Sequence, residues 1–411
     1  MPVISIFSGT FCRGEEIVAA LREKTGKPLF SDTDAVAEAE RRSGMPGNKI
    51  QRAFTAKTSV FNRFTHERER SVAHLKLALA ERLSSDEDAV VEGFVAHLIP
   101  EELNHVLRVC LIADMPSRLK IASDAYGLGE GEAARLIHRQ DEDRASWVME
   151  VRDMKDPWDP RLYDMLIPTD KRDPREILGL IEEHMGRDVV QATGRSRKAV
   201  DDFLLSARVE VVLVREGHNV GVEAREGVVT LTINKHVLML ARLEEELKQI
   251  AWDVEGVKGV KTKVGPGFHQ ADIYRKYDFE TPSKVLLVDD EREFVQTLSE
   301  RLLMRDMGSA VAYDGESALE LIREDEPEVM ILDLRMPGID GIEVLRRVKQ
   351  TNPGIEVIIL TGHGSEADKT TCMDLGAFAY LQKPVDIDLL SETIRRANEK
   401  IVGRKGEDGA A

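Results

Sequence analysis

Apolar positions in this chain come in two rhythms. Short, nearly continuous apolar runs such as "VISIF" (3–7), "AVVEGF" (89–94) and "VLRVCLIA" (106–113) alternate with longer stretches whose apolar residues recur every three or four positions. Such runs predict strands buried on both faces, and the stretches between them predict crossover helices, so residues 1–192 read as a parallel α/β sheet. The rhythm changes from about 198 to 265. There a helix precedes two β runs, in which Val229, Leu231 and Ile233 alternate with Thr230 and Thr232. Leu243, Leu247, Ile250 and Val254 then repeat at helical spacing, and "GVKGVKTKV" closes the segment as a short strand. The order is αββαβ. From 283 to about 401 strand and helix alternate again. The expected architecture is multidomain α/β. Residues 266–282 read as a linker bounded by prolines, and 402–411 as a frayed polar tail.

Composition narrows the class. A chain of 411 residues is expected to hold two to four domains, because single cores stop growing near ~250 residues. A net charge of −17 argues against a broad phosphate-binding surface, so no DNA partner is expected. Cys12, Cys110 and Cys372 are scattered, without a paired spacing, which suggests a reducing compartment and no zinc site. The start, "MPVISIFSGT", has neither a basic lead nor a long apolar run, and no run of ~18 apolar residues occurs anywhere. A cytoplasmic location with no transmembrane segment is therefore expected. The ten histidines lack carboxylates or cysteines at ligand spacing and read as structural or exposed.

The last segment carries the sharpest chemistry. "KVLLVDDE" ends a strand in Asp289 and Asp290, "VMILDL" ends one in Asp333, "VIILTG" places Thr361 at a third strand end, and "FAYLQKP" places Lys383 at a fourth. In an open parallel sheet these ends converge on one crevice. Hard oxygen ligands there suit Mg2+, a carboxylate can attack phosphorus, and an ammonium offsets phosphoryl charge. Residue by residue this segment resembles the response-regulator receiver domain, a flavodoxin-like (βα)5 fold. The resemblance implies Asp333 as phosphoacceptor, with Asp289, Asp290, Asp333 and the backbone carbonyl of Arg335 around Mg2+. It also implies Thr361 and Tyr380 as the switch pair, Lys383 as the conserved-type lysine, a cis Lys383–Pro384 bond, a sensor histidine kinase as phosphodonor, and a homodimer as one possible state.

"SGTFCRGEEIVAALREK" (8–24) raises a second chemistry. Gly9 and Gly14 have the spacing of a phosphate-binding loop, but Glu15-Glu16 stand where such a loop carries Lys-Ser or Lys-Thr. With "SRLK", "DEDR" and "LYDMLIPTD", residues 1–185 resemble the cytidylate-kinase-like branch of P-loop nucleoside monophosphate kinases. The resemblance implies nucleotide contacts from Gly9, Arg13, Gly14, Asp32, Arg118, Asp141 and Arg144, with ATP and a pyrimidine monophosphate as ligands. It departs at the missing loop lysine, for which Arg13 is a partial substitute, at Phe94 and Glu92, and at Pro168. Three readings stay open for this segment: an active (d)CMP-type kinase gated by the receiver, a nucleotide-binding sensor, or a scaffold without ligand.

The αββαβ segment resembles the BON domain, although that family's glycine after the "TL" strand is missing. In this chain the resemblance implies a docking or dimerising element. Lys258, Lys261 and Lys263 make a small basic edge, read as a solvated strand end. Taken together, the expected function is a response regulator whose Asp333 switch acts on the upstream modules or on a downstream protein partner.

Overall fold

The computed structural model describes residues 2–85, 88–235, 237, 239–269, 284–305, 307–362 and 364–408. It falls into two compact units, one of residues 1–58 with 67–275 and one of residues 59–66 with 276–411. Most of the expected linker, from residue 270 onward, lies outside the described residues. No helix among the described residues is long and apolar enough to cross a membrane.

In chain order the elements up to residue 215 are β1 Val3–Ser8, α1 Gly14–Thr25, β2 Leu29–Ser31, α2 Asp32–Ser43, α3 Gly47–Gln51, α4 Asn62–Thr65, α5 Glu67–Ser84, β3 Val90–Glu92, β4 Val106–Ile112, α6 Met115–Tyr126, α7 Glu130–Arg152, β5 Met165–Pro168, α8 Pro174–Met185 and α9 Gly194–Arg215. The five strands of the first unit's larger sheet are all parallel, in the order β2-β3-β1-β4-β5. Their carboxyl ends therefore share one edge, where the glycine loop between β1 and α1 sits. Helix starts follow local side chains. Ser31 and Thr193 form capping boxes, Asp114 and Asp173 accept first-turn amides, and prolines occupy the first turns of α6 and α8. Trp147 of α7, fully buried, donates its indole N–H to the Phe94 carbonyl at 2.8 Å and anchors α7 over the sheet.

The first two expected domains form one unit, because α9 serves two cores. Val200, Phe203, Ala207, Val211 and Val214 pack with the core that holds Trp147. Leu205, Val209 and Leu213, set off around the same helix at i, i+4 spacing, pack under a second sheet. That sheet comprises β6 Gly221–Arg225, β7 Val228–Ile233 and β8 Gly259–Val264, with α10 Leu240–Trp252 between the last two. β6 and β7 are antiparallel and β7 and β8 parallel, which completes the αββαβ order. α9 begins at Gly194, inside the interval expected between the first two domains, and runs unbroken to Arg215. No proline or glycine interrupts it beyond its first residue, so nothing in the backbone forces a break. Leu213→Ala is expected to lower the stability of the whole first unit by about 2–5 kcal/mol, as for a fully buried leucine. Urea denaturation read at Trp147 and by far-UV circular dichroism should show one shifted transition.

The second unit holds β9 Val285–Val288, α11 Arg292–Leu303, β10 Ser309–Ala312, α12 Gly315–Glu324, β11 Val329–Leu332, α13 Gly341–Thr351, β12 Glu356–Thr361, α14 Glu366–Asp374, β13 Ala379–Gln382 and α15 Ile387–Asp408. Its parallel sheet runs β10-β9-β11-β12-β13, the doubly wound flavodoxin-like order. β9 and β11 are buried along their whole length, which their uninterrupted apolar runs dictate. The tail expected to fray from 402 is instead helical through Asp408. No proline stops α15.

Candidate functional site

The carboxyl ends of β9 and β11 are pinned side by side by the bond from the Asp333 amide to the Val288 carbonyl, 2.9 Å long. This register brings Asp289, Asp290 and Asp333 together, with one carboxylate oxygen from each lying within 4.8 Å of the other two. Asp289 and Asp333 are buried, whereas Asp290 is exposed. The Leu334 amide donates to Asp333 Oδ1 at 2.7 Å and the Glu291 amide donates to Asp289 Oδ1 at 3.0 Å. Three crowded carboxylates repel one another unless a cation lies between them, so hard oxygens at this spacing fit a divalent ion.

Lys383 closes the pocket. Its Nζ lies 2.7 Å from Asp289 Oδ2, 3.0 Å from Glu291 Oε1 and 3.4 Å from Asp333 Oδ2, and 4.5 Å from the centre of the Phe294 ring. Burial depresses the lysine, but its bonds to Asp289 and Glu291 outweigh that and hold it above its ordinary value. Burial pushes the Asp289 carboxyl up, against the opposing pull of Lys383 and the Glu291 amide. The Lys383–Pro384 peptide is cis, as expected.

Thr361 is fully buried at the end of β12, and its carbonyl accepts the Lys383 amide at 3.0 Å. Tyr380 lies one strand over, its ring turned inward. A Cβ on Gly364 would stand 1.6 Å from the Tyr380 hydroxyl and 3.1 Å from Thr361 Cγ2, so Gly364, Thr361 and Tyr380 form one contact. Arg335 is exposed just beyond Asp333. Sequence reasoning missed Glu291, Phe294, Gly341 and Gly364. A third acid after Asp289-Asp290 was the only readable signal for Glu291, while the two glycines are defined by close contacts, Gly364 with Tyr380 and Gly341 with the Asp333 carbonyl.

At the glycine loop the arrangement differs from expectation. Phe11 and Arg13 take left-handed backbones, with φ of 59° and 57°, and Gly14 packs so tightly on β1 that a Cβ would lie 2.4 Å from Ser8 Oγ. Arg13 is exposed and gives no side-chain bond to the start of α1. Arg118 donates from Nε to the Thr10 carbonyl at 2.8 Å and grips Asp141 with both Nη atoms at 2.8 Å. Arg144 donates from Nε to the Ser8 carbonyl and from Nη1 to Thr10 Oγ1 and the Gln140 carbonyl, each at 2.9 Å. Asp32 accepts the Phe94 and Val95 amides at 2.9 Å each. The structure thus brings Gly9, Gly14, Arg118, Asp141 and Arg144 together, but with the guanidiniums turned onto the protein's own oxygens. In this arrangement Arg118 and Arg144 direct these donors at the chain's own oxygens.

Burial raises the Asp32 carboxyl from its ordinary 3.8 to about 7, overcoming both amide bonds. The folded state thus binds this proton more tightly than the unfolded chain. Its stabilising contribution is complete below 3.8 and is lost as pH rises to about 7. Asp32→Asn is expected to remove this part of the pH slope. Thermal midpoints of the two proteins between pH 4 and pH 8 should converge at one end and separate at the other, and parallel curves would refute the assignment.

Comparison with known proteins agrees with the geometry. Residues 285–395 match the model of the response regulator receiver domain, and residues 3–171 match that of the cytidylate kinase-like family. The transcriptional regulatory protein CpxR of Escherichia coli K12 is 42% identical over 113 residues, covering 28% of this chain and 48% of CpxR. The response regulator MprA of Mycolicibacterium vanbaalenii is 33% identical over 129 residues, covering 31% of this chain and 54% of MprA. The chain thus spans about half the length of these curated relatives. A receiver domain structure from Clostridium thermocellum is 34% identical, covering 28% of this chain and 94% of its own, with a TM-score of 0.28. The C-terminal segment is a receiver domain homologous to response regulators such as CpxR and MprA, joined to an N-terminal segment that matches the cytidylate kinase-like family.

Proposed function

We propose that this chain is a two-component response regulator that accepts a phosphoryl group on Asp333. The observation that carries the reading is the convergence of Asp289, Asp290 and Asp333 within 4.8 Å, with the Lys383 ammonium 3.4 Å from Asp333. Asp289, Asp290 and Asp333, with the Arg335 carbonyl, are the residues that would hold Mg2+, which neutralises phosphoryl oxygens at such sites. An Asp333 oxygen forms the bond to phosphorus as the bond from phosphorus to the donor's leaving group breaks, to an imidazole nitrogen for a phosphohistidine and to a carboxylate oxygen for acetyl phosphate. Lys383 holds the charge of the transferred group, and Thr361 with Tyr380 responds to it as a two-state switch. The donor is a sensor histidine kinase in the cytoplasm, the output passes to the first unit or a downstream partner, and the BON-like sheet serves docking or dimerisation. Labelling with acetyl phosphate and mapping the modified peptide tests this. Label on the peptide containing Asp333, lost when Mg2+ is chelated, is expected; label elsewhere, or indifference to chelation, refutes it.

The cytidylate-kinase-like match favours a second reading, a nucleoside monophosphate kinase gated by phosphorylation. An assay of ATP with each common monophosphate, with and without beryllofluoride, discriminates the two. Turnover that changes with beryllofluoride supports the gated enzyme.

A further inference from the structure

The glycine loop of the first unit is already occupied by its own chain. Cys12, 1% exposed, turns its thiol into the loop, and a Cβ on Gly9 would lie 2.7 Å from that sulfur. Across the loop, α7 supplies three polar groups from a single turn. Asp141 takes both Nη atoms of Arg118, whose side chain is 8% exposed, and Arg144 takes two loop oxygens. Gln140 Oε1 accepts the Thr10 hydroxyl at 2.6 Å. In a phosphate-binding loop the backbone amides and neighbouring cations face an anion. Here the anion facing Arg118 is the Asp141 carboxylate, which takes one N–H from each Nη; with the Nε bond to the Thr10 carbonyl, three of the five donors of that guanidinium are committed to the chain itself.

We propose that Asp141 is an internal substitute for phosphate. It locks α7 onto the glycine loop, keeps the first unit folded in its closed form without nucleotide, and excludes a phosphoanhydride ligand for as long as the fork holds. The lock deepens the kinase-like reading of residues 1–192. It is independent of Asp333, whose labelling is measured separately, so failure of one does not affect the other. A charged partner at 2.8 Å in a half-buried setting is preferred over a mobile anion, because it carries no association entropy.

The test uses the full-length chain with MgATP and, separately, inorganic pyrophosphate, read by thermal shift and calorimetry. Wild type is expected to show no binding at millimolar concentration. Asp141→Asn keeps the shape and removes the charge, and it is expected to bind pyrophosphate at least about tenfold more tightly, the scale of one charge-assisted hydrogen bond released. Adding Arg118→Gln to that variant should abolish the gain. Submillimolar binding by wild type overturns the proposal, as does a folded Asp141→Asn protein with no gain. Should Asp141→Asn fail to fold, arginine-specific modification of wild type decides. Arg118 is expected to be inert with or without ATP, and reactivity that ATP suppresses overturns the lock.

Discussion

Asp333→Asn is expected to abolish phosphoryl uptake from acetyl phosphate, a loss beyond about a hundredfold, or ~2.7 kcal/mol of barrier. The carboxamide keeps the side chain's shape and can still accept the Leu334 amide bond, but it offers no anionic oxygen to attack phosphorus. The fold should survive, because the substitution removes one of three mutually repelling carboxylates. The thermal midpoint in chelator is therefore expected to equal or exceed that of wild type, while the stabilisation that wild type gains from Mg2+ shrinks. Lys383→Ala is expected to cost uptake about ten- to a hundredfold, since a charge-stabilising group is lost while the nucleophile remains. Uptake by Asp333→Asn at the wild-type rate would sink the assignment.

Gly341→Ala is expected to damage both stability and metal response. A Cβ at this position would stand 2.2 Å from the Asp333 carbonyl oxygen and 2.7 Å from the Leu334 Cα. Those are backbone atoms, so no rotamer change relieves the overlap, and the segment carrying Asp333 must move. The Gly341 amide also donates to the Leu334 carbonyl at 3.1 Å, a bond that the same movement breaks. A loss of about 1–3 kcal/mol is expected, typical of overpacking. Because the displaced segment bears the nucleophile, Mg2+ stabilisation and label uptake should fall together. Full uptake alongside reduced stability would show that the Asp333 loop tolerates the shift.

The acidic site was readable because each of its residues ends an apolar run. Asp289, Asp290, Asp333, Thr361 and Lys383 lie where a parallel sheet must place its strand ends, so period and residue type sufficed. Glu291 and the glycines that shape the pocket were not readable, because their roles come from contacts such as Gly364 against Tyr380. The glycine loop shows the opposite limit. Its spacing and the "DEDR" segment led to an expectation of nucleotide contacts, whereas the hydrogen bonds direct Arg118 and Arg144 inward onto Asp141 and loop oxygens.

By itself, the amino-acid sequence determined the strand and helix alternation, the two parallel sheets and the identities of the strand-end acids, since burial and side-chain period act locally. Only the tertiary structure decided that residues 194–215 form one helix shared by two cores, because the two apolar faces have meaning only once their partners are in place. It likewise decided which anion Arg118 faces. A guanidinium pairs with whatever carboxylate the packing brings to 2.8 Å, and Asp141 is 23 residues away along the chain.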